Sequence, residues 1–358
     1  KLSYFNTFRE FDDIRFGANE VGIYNFSAHI NTIEDSLFRN NAIIGTASGT
    51  AGGAINNNND GTLSSRNPSN GDHISSVGTV SNTSFTENHV SGANGDAFGG
   101  AWYNEVTVSD IIDSSFSGNY VESSSGSALG GAIYNASAGT MTISAASRDV
   151  SFTDNKANGA SSGIHNLGTV TLRANDGYKV TFDDAITGTT SSGTMTVGAS
   201  GYTGDVIFNN SVTQNRVNFS AGRGIVNDTL TASTIYLSGG TLKLGRDASL
   251  SGTFFANNTS GTLDLSNDSI SNTSLTTTNS SISANFNLIT DINTDDGSAD
   301  TLTISNAPTG LYSKAEMFAY FILLSDIKFP SFNTFMAGTI PPVTTLYFKP
   351  LVLFLLSK

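Results

Sequence analysis

Two pairs of adjacent carboxylates, Asp12-Asp13 and Asp183-Asp184, are the residues whose types most readily suggest chemistry. Facing carboxylates in a cleft can divide acid and base work between them. Neighbours on a strand point to opposite faces, however, so each pair is expected to be half structural and half solvated. The four histidines, His29, His73, His89 and His165, share no metal-ligand spacing. No cysteine is present to supply a thiolate ligand. Asn56, Asn58, Asp60 and Gly61 partly follow a calcium loop, but Asn67 stands at the twelfth position, where a bidentate Glu is needed. A polar loop between coils is the better reading of that stretch. The sequence therefore predicts no catalytic residue, no metal ligand and no cofactor.

Composition points away from chemistry and toward a scaffold. Charged residues make up only 13% of the 358, too few for a helical bundle or coiled coil. The apolar share of 38%, with 23 Phe, is too high for a disordered linker. A net charge of −13 without any run of Lys or Arg argues against nucleic acid as a partner. A chain free of cysteine suits export into an oxidising compartment, and equally suits a repeat that never acquired one. The first residue is Lys1 and no apolar signal run follows, so a mature chain or a fragment is expected.

The elements that must position any site are repeats. The first unit is Phe-x-x-Asn: Phe38 to Asn41, Phe85 to Asn88, Phe116 to Asn119 and Phe152 to Asn155. Two residues after each Asn comes an apolar or small residue: Ile43, Val90, Val121 or Ala157. Ile33, Val80 and Ile111 lie five before the first three Phe, and Ser36, Thr83 and Ser114 lie two before. The pattern predicts a strand with Phe inward and two polar residues outward. The Asn is expected to turn the corner in a left-handed conformation. The second unit is Gly52-Gly53-Ala54-Ile55, Gly99-Gly100-Ala101-Trp102 and Gly130-Gly131-Ala132-Ile133. Its weaker copies begin at Gly22, Gly163 and Gly224. Paired glycines supply positive φ and close backbone approach. Trp102 replaces Ile and is expected to point inward, and His165 occupies the slot of Tyr134. In the three full copies the first Gly follows the Phe at one constant offset: Phe38 to Gly52, Phe85 to Gly99 and Phe116 to Gly130. The intervals between successive Phe predict about two turns of a solenoid with coils of roughly 20 residues.

Gly-Thr followed by alternating apolar residues makes a third unit, at Gly139, Gly168, Gly193, Gly240 and Gly261. Each is read as a short period-2 strand behind a turn. Two longer copies, Val180 to Thr187 and Val206 to Thr213, align position for position. Short strands, Gly/Asn corners and no helical stretch predict an all-β, right-handed parallel β-helix of the pectin-lyase-like kind. In that fold equivalent side chains stack from coil to coil.

Phe-x-x-Asn alternating with Gly-Gly-Ala-Ile resembles the polymorphic outer-membrane protein family of autotransporters, in specific motifs over about residues 20 to 230. Thr171 through Ile186 is also similar to a downstream passenger segment of that family. The resemblance implies an exported passenger on the bacterial cell surface, at the outer membrane or outside the cell, acting as a non-enzymatic adhesin or stalk. The partner it implies is a receptor or glycan on a host or neighbouring cell. The family's C-terminal barrel has no counterpart here, so the outer membrane would be reached only through sequence missing from this chain. The β-helix is expected over residues 1–307. Residues 308–358 hold five of the six prolines and two apolar runs too short to span a bilayer as helices. They are read as a cap, a membrane-contacting tail, or a truncated or shifted segment. The alternative function is a polysaccharide lyase or hydrolase on the same fold. Asn293-Thr294-Asp295-Asp296 resembles an element of galacturonan hydrolases, but that element's companions, Gly-His-Gly and Arg-Ile-Lys, are missing. The Asn56 to Ser76 insertion, rich in Asn, Ser and Gly, is a place where binding could sit.

Overall fold

The structure, a computed structural model, describes residues 11–12, 23–26, 29–45, 49–58, 76–256, 261–266, 274–282, 287–289, 301–305 and 344–346. Among them every regular element is a strand. The strands pair in parallel, apart from Lys156–Ala157 with Ala160–Ser161 and Thr301–Ser305 with Thr344–Leu346. The fold is a parallel β-helix.

One coil begins at Ser84–Thr86, in an eleven-stranded sheet that carries the Phe repeats. It passes through His89–Gly92 in a five-stranded sheet and Ala97–Phe98 in a three-stranded sheet. Trp102–Asn104 and Thr107–Ile112 then run in the largest sheet, and Ser115–Ser117 opens the next coil. Period-2 burial drives each strand: in Ser84–Thr86 only Phe85 is inward. Register then stacks like on like. Phe38, Phe85, Phe116 and Phe152 are fully buried, with successive ring centroids 5.0, 4.7 and 4.6 Å apart. Phe182 and Phe208 continue the column. Ile33, Val80 and Ile111 share this core, while Ile43, Val90 and Val121 form a small second core beneath the five-stranded sheet.

Three expectations need correction. First, the Asn of Phe-x-x-Asn is not the left-handed residue. Positive φ belongs to the residue before it: Asn40, Glu87, Gly118 and Asp154. Asn41, Asn88, Asn119 and Asn155 are instead fully buried, because their amides can satisfy one another inside the coil. Second, each Phe interval is one coil, not two turns, since Phe85 pairs directly with Phe116 and Phe116 with Phe152. Among the described residues, coils of the expected shorter length occur only downstream, where Asp205 pairs with Arg223 and Arg223 with Thr241. Third, the copy at Gly224 is misassigned: its strand pairs in the Phe sheet, with Val226 one coil below Phe208, not among the Gly-Gly-Ala strands of the largest sheet. The units at Gly240 and Gly261 are short alternating strands as expected and also run in the Phe sheet, whereas those at Gly139, Gly168 and Gly193 run in the largest sheet. The same Gly-apolar grammar serves both sheets once the aromatic column ends.

Beyond residue 305 only Thr344–Leu346 is described, pairing with the last parallel strand, so the three readings of the tail lie outside the described residues.

Candidate interaction surface

The paired glycines fold the coil back on itself. Gly52, Gly99 and Gly130 take positive φ. The second glycine has no room for a side chain: a Cβ on Gly100 would stand 2.1 Å from the Gly131 carbonyl oxygen. Ala54, Ala101 and Ala132 then turn inward and are fully buried. The fold-back lays the three-stranded sheet over the outer face of the next strands. Phe98 packs at 4.6 Å on the ring of Tyr134, which stacks at 5.5 Å on Tyr103 and at 5.4 Å on His165. His165 therefore does occupy the Tyr134 slot. Its Nδ1 lies 2.8 Å from the Thr187 hydroxyl, and burial holds its pKa down at about 4. Burial, reinforced by Glu105, pushes the Tyr103 phenol up.

Two amide ladders run through the interior. Asn41 donates to Asn88, Asn88 to Asn119 and Asn119 to Asn155 over 2.7 to 2.9 Å, and Asn155 donates to the Asp184 carboxylate at 2.6 Å. Every amide dipole points the same way, and the positive end of the row meets a carboxylate. Asp184 is buried and Asp183 exposed, as a strand-flanking pair should divide. Burial nevertheless raises the Asp184 pKa, against the bonds from Asn155 that lower it. The second ladder links Asn25, Asn57, Asn104, Asn135, Asn166 and Gln214. Only the coil register reveals that these amides touch.

Asn56 sits in a buried strand position, its amide bonded to the Ala51 carbonyl. The later residues of that loop, most of the insertion, His73, Asp13 and Asn293 to Asp296 lie outside the described residues. Trp102 is fully buried beside Phe85, and its indole N–H has no partner among the described residues. His29 meets the Ser76 hydroxyl on an exposed face, and His89 stacks on Tyr120. Thus the structure does not bring the described histidines together. Among the described residues no three His, Asp or Glu side chains gather as metal ligands.

One polar group on the outer face has the types for chemistry. Ser144 donates to Asp110 at 2.6 Å, and Arg173 donates to both Ser144 and Asp110. The guanidinium also lies 4.3 Å from the Tyr202 ring centroid. Asp110 is held in an ion pair with Arg173, and among the described residues no histidine stands beside Ser144 to take its proton. The group ties three coils together. Compared with family models, curated proteins and solved structures, the chain gives no match.

Proposed function

We propose that this chain is a non-enzymatic, surface-displayed β-helical passenger acting as an adhesin or stalk. The observation that carries the reading is where the polar groups go. Buried amides bond to the next coil, and the Ser/Asp/Arg group on the outer face is spent on an ion pair. Such a rod offers extended outer faces in place of a cleft, which suits contact with another surface. The repeats' resemblance to polymorphic outer-membrane proteins points the same way, with a receptor or glycan on a host or neighbouring cell as partner.

Beads coated with the chain should adhere to such cells in a saturable way, and soluble chain should compete. Sustained cleavage of pectic or other acidic glycans by catalytic amounts of protein would overturn the reading in favour of a polysaccharide-degrading enzyme.

A further inference from the structure

The outer face of the largest sheet carries a feature that neither cell adhesion nor the core requires. Thr140-x-Thr142, Thr169-x-Thr171 and Thr194-x-Thr196 lie side by side on three successive strands, in unbroken parallel register. Thr107 extends the first column by one more coil. All seven threonines point out, while Met141, Val170 and Met195 between them are buried. Among the described residues no protein group bonds to any of the seven hydroxyls, although outward hydroxyls elsewhere pair, as Ser115 does with Ser84.

The array is regular and its seven side chains are uncharged, with the Arg173–Asp110 pair standing just beyond Thr171 on the same face. Parallel rungs stand roughly 4.8 Å apart and alternate residues about 6.6 Å apart. Thr is stiff at χ1, so each coil presents its methyl and hydroxyl in a similar pose. From inside, the Asn135 amide bonds the Gly139 and Thr169 carbonyls, and the Asn166 amide bonds the Thr194 carbonyl. These bonds fix the start of each threonine strand. The array ends at a register shift beyond Val108 on one side and at Arg216 on the other.

A lattice of hydroxyls and methyls at this spacing comes close to the oxygen repeats on faces of hexagonal ice. The methyls limit competing bulk water, and the hydroxyls hold an ordered layer. We propose that this face binds ice. A polysaccharide is the poorer fit. Further along the same sheet, Tyr236 and Phe255 stack on each other at 4.9 Å, with Arg216 over the Tyr236 ring, so edges are offered where a sugar needs a ring face.

The test uses the full chain, fluorescently labelled, with ice grown slowly from its solution and recrystallisation followed in frozen films. The wild type should enter the ice and arrest crystal coarsening. Thr171→Lys and Thr140→Lys should each be excluded and inactive, while Thr86→Lys, on the Phe-sheet side, should behave as wild type. Exclusion of the wild type from ice overturns the proposal, as does incorporation of both array variants at the wild-type level. Retention on crystalline cellulose or chitin together with exclusion from ice overturns it in favour of a glycan.

Discussion

The coils between Phe85 and Asn166 and those between Asp205 and Leu265 solve the same problem with different corners. The upstream coils are wide: those opening at Phe85 and Phe116 run through four sheets, and the one opening at Phe152 through three. Outside glycine, positive φ occurs among the described residues only between Asp35 and Asn158, where Asp and Asn supply most of the corners. Downstream coils have two strands, some of them long, such as Thr229–Leu237, and glycine alone takes the left-handed turns. Past Asp184 only Gln214 and Asp264 are buried polar side chains among the described residues, so the amide ladders belong to the wide coils. The core aromatic also changes sides. Gly224 sits where Val206 stood one coil earlier, and the Phe219 ring from the opposite sheet fills the vacancy, 2.4 Å from where a Cβ would be. A bulky column with amide-lined corners needs circumference. A mainly aliphatic core that, among the described residues, holds only Phe219 and Phe254 once the column ends at Phe208 does not.

The strongest way to break this comparison is Phe116→Ala. Removing a ring stacked on both neighbours should cost about 3–5 kcal/mol, read from denaturant midpoints. Hydrogen exchange should quicken in adjacent wide coils and leave the narrow ones protected. Exchange that quickens equally along the rod would mean the two regions are one cooperative unit.

Acid should expose the next difference. His165 prefers to be neutral in the fold, with a pKa of about 4 against an ordinary 6.5. Stability is complete above the unfolded value and falls as pH drops from 6.5 toward 4, by up to about 3 kcal/mol. His165→Tyr, which restores the side chain of the coil above, should flatten that limb of the pH–stability curve. An unchanged limb would place the acid sensitivity elsewhere.

Gly224→Ala tests the narrow coil. The added methyl meets the Phe219 ring, and overpacking should cost about 1–3 kcal/mol by thermal melting. A neutral result would show that Phe219 can shift and that the narrow core is loosely filled. The smallest effect concerns Asp184, whose raised pKa has the opposite sign to that of His165. Its ionisation costs stability as pH rises from the unfolded carboxylate value through the raised one. Asp184→Asn should keep the ladder, since an amide oxygen can accept from Asn155, and should gain stability at neutral pH. A loss there would mean that the aligned amides favour the charge more than burial opposes it.

Much of the fold was legible in the chain because side-chain type and backbone conformation are local matters. Alternation around Phe85 and Phe116 told which residues face in, and the Gly-Gly pairs marked the tight fold-backs. The inward Trp102 and the split pair Asp183-Asp184 followed from strand periodicity alone. What misled was adjacency. Asn at a corner suggested a left-handed turn, since Asn tolerates that conformation, yet the neighbouring residue took it. Gly224 resembled Gly163 in its local motif but joined another sheet.

The sequence by itself determined that this protein is a β solenoid built from two interleaved repeats, because period-2 burial and glycine stereochemistry act within a few residues. Only the tertiary structure decided the circumference of each coil, the partners of the buried amides and the threonine lattice on the outer face. Those depend on which strand lies one rung away, a choice that pairs Asn41 with Asn88 inside a wide coil and, on the exposed edge of a narrow one, Asn209 with Asn227. No window along the chain contains that choice. It is made when the coils stack and each inward group must find its equal above and below.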